Sequence, residues 1–149
     1  MESLAFGTHL IIDGFQADRR CLQGAEVLRA FLEQVIEKVD PHGPVQLESA
    51  TMGTGRARGL TGVVFKAESH VTIHLYPETC RLSLDAFSHR AVHLSGLTTF
   101  LREHFQIGRF ESHLRHRSKP LPTNRKHLLT TLSGDRMYAH LRLEDLLKE

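Results

Sequence analysis

Two short segments of alternating character limit the fold of this 149-residue chain more than any other feature. Between His70 and Tyr76 the even positions hold His70, Thr72, His74 and Tyr76, and the odd positions hold Val71, Ile73 and Leu75. Successive side chains of a strand point to opposite faces, so this segment reads as a strand with one polar and one apolar face. From Arg81 the pattern returns in the other parity, with Leu82, Leu84 and Ala86 set against Arg81, Ser83, Asp85, Phe87 and His89. The turn residues Pro77-Glu78-Thr79-Cys80 join the two segments into an antiparallel hairpin. Placing both apolar faces on one side requires paired residue numbers with an odd sum. A turn centred on residues 78 and 79 gives sums of 157 or 159, which set His89 opposite residue 68 or 70 and so beside Ser69.

The rest of the chain supplies what this hairpin can pack against. Residues 8–16 form an apolar run bounded by turn residues and read as a first strand. From Gly24, Val27, Leu28, Phe31, Leu32, Val35, Ile36 and Val39 recur at helical spacing until Pro41-His42-Gly43-Pro44 ends the pattern. A second strand is expected over residues 45–50, a glycine-rich loop over 52–59, a further strand over 60–67, and an edge strand over 110–116. Leu97, Phe100, Leu101 and Phe105 mark a second helix with Ser95 as its N-cap. Two helices set among six strands pack most economically on one face of a mainly antiparallel sheet, an α+β two-layer sandwich. The domain is expected over residues 1–116, followed by a linker and C-terminal extension over 117–149 in which Leu141, Leu143, Leu146 and Leu147 form a short helix.

Several function classes are excluded or disfavoured at this level. The apolar fraction of 40% and charged fraction of 24% suit a folded globular protein, and no apolar run approaches the ~20 residues of a membrane span. The N-terminal residues lack a basic region followed by a long apolar one, so a cytoplasmic location is the default expectation. Cys21 and Cys80 have no zinc or redox spacing and are expected as free thiols. His70 and His74 lie on one face of a strand but ~13 Å apart, too far to bind one metal ion together, so no metal site is expected. The basic residues Arg109, His113, Arg115, His116, Arg117, Lys119, Arg125 and Lys126 lack interleaved aromatics and read as a solvated edge strand and linker rather than a nucleic-acid surface.

The run Glu68-Ser69-His70-Val71-Thr72-Ile73-His74-Leu75-Tyr76-Pro77-Glu78 resembles the prokaryotic S-adenosylmethionine decarboxylases, and the chain is similar to a divergent member of that family. Gly7-Thr8-His9-Leu10 and Gly59-Leu60-Thr61-Gly62-Val63-Val64 extend the resemblance over about residues 3–116. It implies self-cleavage between Glu68 and Ser69 by an N-to-O acyl shift. β-Elimination then leaves a pyruvoyl cofactor made from Ser69 at the head of the new α chain. His74 and Thr61 resemble the family's processing residues. The pyruvoyl carbonyl would form a Schiff base with the substrate amine and draw electrons as CO2 leaves. The resemblance also implies a homo-oligomer of αβ protomers and an S-adenosylmethionine substrate, with the product feeding spermidine synthesis.

One position departs from the family pattern. Where the family's Phe-Thr-Cys-Gly motif carries the cysteine that protonates the substrate carbon, this chain reads Phe87-Ser88-His89-Arg90. His89 then becomes the candidate proton donor, with an ordinary pKa suited to the task. The replacement keeps open a second substrate class, L-ornithine or L-arginine, which divergent members decarboxylate with the same cofactor. A third reading is an uncleaved homologue that only binds a partner.

Overall fold

The computed structural model describes residues 7–90 and 92–117, and in the C-terminal segment residues 124–127, 129, 130, 133, 134 and 137. Two compact units emerge, one of Ala5–Ser118 and one of Met1–Leu4 with Lys119–Glu149. In the second unit the described residues include helical turns, with Thr130 donating to the Lys126 carbonyl at 3.0 Å. The leucine helix expected near residues 141–147 lies outside the described residues.

The first unit runs β1 (Gly7–Phe15), α1 (Ala25–Val39), β2 (Gln46–Met52), β3 (Gly59–Lys66), β4 (Ser69–Tyr76), β5 (Arg81–Ser88), α2 (Leu94–Phe105) and β6 (Arg109–Arg117). The strands form one sheet in the order β2-β3-β4-β5-β1-β6, each antiparallel to its neighbours. The hairpin of β4 and β5 pairs His70 with Phe87 and His74 with Ser83, the odd sum of 157 that the two alternations required. β6 is an edge strand, as its basic sequence suggested.

Both helices supply the core that the apolar sheet face needs. Leu28, Phe31, Leu32, Val35 and Ile36 of α1 are fully buried with Val71, Ile73, Leu84 and Ala86 of the hairpin. α2 adds Leu97, Leu101 and Phe105, and the Phe31 ring lies 4.8 Å from that of Phe105 and 5.6 Å from that of Phe100. Gly62 lets α1 approach the sheet, since a Cβ there would stand 2.5 Å from Leu32 Cδ1. α2 begins one residue before Ser95, with His93 at the N-cap making no side-chain bond, so the expected serine cap is not used. The glycine-rich loop carries a 3-10 turn at Gly55–Ala57.

Candidate active site

β4 starts at Ser69, two residues earlier than the apolar alternation alone suggested, and the alternation then decides where its side chain goes. Ser69 shares parity with Val71, Ile73 and Leu75, so it faces the helices and is buried, whereas Glu68 beside it is exposed in the two-residue turn from β3. That turn holds Ala67 at φ 30°, a left-handed backbone without the glycine that relieves it.

The hydroxyl of Ser69 is met from the end of α1. Asp40 follows the last helical residue and precedes Pro41, which disfavours helical backbone at the residue before it. Asp40 is accordingly extended, with φ −150° and ψ 108°, while its N–H still closes the helix on the Ile36 carbonyl at 2.8 Å. Asp40 is buried, with 4% of the residue exposed, and Ser69 Oγ donates to Oδ2 at 2.9 Å. Ser88, fully buried at the end of β5, has its hydroxyl 3.0 Å from that of Ser69 and accepts the Arg90 N–H at 3.0 Å. A hydroxyl carries one proton, so the consistent assignment runs in one direction: Arg90 N–H to Ser88, Ser88 to Ser69, Ser69 to Asp40.

Burial by itself raises the pKa of Asp40. The His42 backbone N–H, the hydroxyl of Ser69, the His42 ring and the Arg90 guanidinium together outweigh it and hold the carboxyl below its ordinary value. Asp40 is therefore an ionised acceptor at neutral pH. Next to this group, Lys66 is 2% exposed at the inward-facing end of β3 and pairs with Glu37 of α1.

The other expected site residues lie elsewhere. Thr61 Oγ1 and His74 Nδ1 are in hydrogen-bond contact at 2.8 Å across β3 and β4, and Thr61 also donates to Met52 Sδ at 2.8 Å. This pair stands on the open face of the sheet, opposite to the Ser69 side chain and five residues along β4, ~16 Å away. One chain therefore does not bring Thr61 and His74 to the Ser69 hydroxyl. His89 follows the end of β5, exposed, with its ring edge-on to Phe87 at 5.5 Å, near the same end of the sheet as Ser69. Asp85 stands opposite Thr72 in the register and contacts His9 Nε2 at 3.2 Å. A cavity of about 310 Å³ opens at the far end of β4, lined by Arg58, Leu60, Pro77 and Glu78 among others, away from Ser69. Among the described residues no group of three or more His, Cys, Asp or Glu could hold a metal ion, and no helix is long and apolar enough to cross a membrane.

Asp40, Ser88 and Lys66 were not singled out as site residues from the sequence. Lys66 and Ser88 had a signal: each continues an apolar alternation, Gly62-Val64-Lys66 and Leu84-Ala86-Ser88, at an inward position. Asp40 had none beyond its place before a proline.

The sequence profile described as S-adenosylmethionine decarboxylase matches residues 8–118, most of the chain and all of the sheet from its second residue. The chain belongs to the S-adenosylmethionine decarboxylase family. Relatives in that family include the S-adenosylmethionine decarboxylase proenzymes of Archaeoglobus fulgidus, 30% identical over 82 residues, and of Thermotoga maritima, 30% identical over 88 residues. These alignments cover 55% and 59% of this chain, and 70% and 63% of the two relatives. The proenzyme of Picrophilus torridus is 28% identical over 85 residues, 57% of this chain and 62% of that relative. The chain thus spans somewhat under two thirds of the length of two of these three relatives. The crystal structure of the adenosylmethionine decarboxylase from Aquifex aeolicus shares the family's fold with this chain, at a TM-score of 0.62 and 20% identity over 80% of this chain and 96% of that one.

Proposed function

We propose that this protein is a self-processing, pyruvoyl-dependent S-adenosylmethionine decarboxylase that cuts itself between Glu68 and Ser69. The observation that carries this reading is the setting of Ser69 in a chain of this family. Its hydroxyl is buried against an ionised carboxylate, directly after an exposed glutamate in a turn with a left-handed alanine. Formation of a pyruvoyl group needs a serine hydroxyl with a proton acceptor beside it, and these residues fit that need. Once formed, the group supplies an electron sink for the loss of CO2.

The chain's own residues take the remaining roles. Exposure of Glu68 lets the new chain end leave into solvent. His89, at the same end of the sheet, donates the proton that replaces CO2 on the substrate carbon. Thr61 and His74 are half-buried, paired and remote from their own Ser69, so they serve a site only if a second copy lies on the open face. The protein is on this reading a homo-oligomer of αβ protomers, and its product supplies aminopropyl groups for spermidine.

The replacement of the family's cysteine favours one rival, a decarboxylase of L-ornithine or L-arginine with the same cofactor. An imidazole on the exposed His89 occupies more room than a thiol and carries charge when protonated. The intact mass of the purified protein, followed by CO2 release from S-adenosylmethionine, ornithine and arginine supplied separately, tests both. Two fragments with a pyruvoyl-blocked α chain establish self-processing, and the CO2 assay names the substrate. A whole chain of 16.9 kDa overturns the enzyme reading and leaves a binding protein on a decarboxylase fold.

A further inference from the structure

The contact between α1 and β4 bears on how the chain would cut itself. Asp40 and Ser69 are 29 residues apart in sequence, yet each residue is 4% exposed and their oxygens are 2.9 Å apart. Helix termination does not require this carboxylate, because the Asp40 backbone N–H already closes α1. Ser69 accepts from the Ser88 hydroxyl at 3.0 Å, so its own proton is left to this carboxylate. Oδ1 of this buried carboxylate holds the loop after α1, accepting the His42 N–H at 3.0 Å beside the His42 ring and Arg90, and Oδ2 is left turned to the Ser69 hydroxyl, the nucleophile of the expected scission.

We infer that Asp40 is the general base that takes the Ser69 hydroxyl proton in the acyl shift that breaks the 68–69 bond, with Ser88 orienting the hydroxyl. The inference rests on the proposal that the chain cleaves itself. The step balances within the chain. The Ser69 O–H proton passes to Oδ2 of Asp40 as Oγ adds to the carbonyl carbon of Glu68. The bond from that carbon to the Ser69 nitrogen then breaks, and the nitrogen takes the proton back from Asp40 to become the α-amine of residue 69. The Glu68 acyl group is left as an ester on Oγ. No oxidant, metal or second reactant is consumed. The donor chain from the Arg90 N–H through Ser88 keeps a lone pair of Ser88 occupied, so the Ser88 proton points to Ser69 and the Ser69 proton to Asp40. The left-handed Ala67 adds backbone strain at the turn that scission relieves.

The test follows scission of the full-length chain by intact mass over time after cell-free synthesis, with no substrate present. Asp40→Asn and Asp40→Ala are expected to lower the first-order rate constant by ~10²–10³-fold, the range of a lost general base. Circular dichroism and the melting temperature check that each variant is folded. Added formate is expected to restore part of the rate in Asp40→Ala, where it can occupy the vacated space, a rescue that a purely structural role would not give. Where the uncharged variants fail to fold, Asp40→Glu keeps the charge but moves the oxygens by one methylene, and a rate at least about tenfold lower is expected. A folded Asp40→Asn, or a folded Asp40→Glu, that cleaves as fast as wild type overturns the inference and leaves self-processing standing. A wild-type chain that stays whole overturns self-processing and the inference with it.

Discussion

The hydroxyl of Ser69 and the carboxylate of Asp40 meet at 2.9 Å beneath the sheet, while the Thr61 and His74 side chains meet at 2.8 Å above it. The two contacts divide the expected chemistry between the faces of one sheet. On the proposed function, the Ser69 hydroxyl that would become the cofactor lies on the helix-covered face, against a buried carboxylate. The candidate processing pair Thr61 and His74 lies on the open face, and the candidate proton donor His89 is exposed at the rim.

On the proposed function, His89 is the candidate proton donor and the candidate determinant of substrate choice. His89→Ala is expected to lower the turnover number by ~10²–10³-fold while self-cleavage proceeds at the wild-type rate, because its side chain lies outside the Ser69 hydrogen-bond group. His89→Cys restores the residue type of the family motif and is expected to raise CO2 release from S-adenosylmethionine relative to ornithine. Steady-state CO2 assays with both substrates measure this, and an unchanged substrate ratio in His89→Cys would remove residue 89 as the determinant.

Separation of His74 from its own Ser69 makes a prediction about pairs of chains. Ser69→Ala and His74→Ala chains are each expected to be inactive alone. Co-expressed, they are expected to recover CO2 release, because a mixed oligomer contains one site with both residues intact. Absence of recovery, with mixed oligomers present by mass, would place both residues in a single-chain site.

The glycines of β3 set how closely its neighbours approach. A Cβ at Gly59 would stand 2.3 Å from the Leu75 carbonyl oxygen, and one at Gly62 would stand 2.5 Å from the movable end of Leu32. Overpacking costs ~1–3 kcal/mol, and Gly59→Ala is expected at the upper end because a backbone carbonyl cannot rotate away. Gly62→Ala is expected near the lower end. Urea unfolding midpoints, with unchanged slopes, measure both.

Acid sensitivity should come first from two histidines. Burial against Phe31, Phe100 and Phe105 lowers the pKa of His104. Burial, then the neighbouring His9, lowers that of His70, with Arg117 adding to the shift and Asp85 opposing it. A depressed folded-state value means the unfolded chain binds protons more readily. Stability is therefore full above about pH 6.5, the ordinary imidazole value, and declines as pH falls through the lower folded-state values. Denaturant midpoints from pH 7.5 to 5 are expected to fall, and His104→Phe is expected to flatten part of that fall. An identical pH profile in His104→Phe would show that the ring titrates alike in both states.

The sequence carried the strand pairing of β4 and β5 and the amphipathic α1, because each depends on local order, whereas the candidate role of Ser69 came from the resemblance of its motif to a family. A period of two along a strand fixes which side chains share a face, and matching two such faces leaves only odd register sums. The same rule put Ser69 in the parity of Val71 and His74 in the opposite one, so the division of the site between two faces was already implicit in the residue numbers.

What only the tertiary structure decided is which helix end comes to which strand end. Pro41 ends α1 wherever it stands, but the meeting of Asp40 with Ser69 depends on how α1 crosses the sheet, and Gly62 with its missing side chain sets that approach. Likewise His9 and Asp85 meet because β1 enters the sheet between β5 and β6, a choice no local pattern encodes. Alternation assigns a residue to a face. Contacts across tens of residues arise from packing the whole core at once, which is why the inward face of Ser69 was legible in the chain and the carboxylate against it was not.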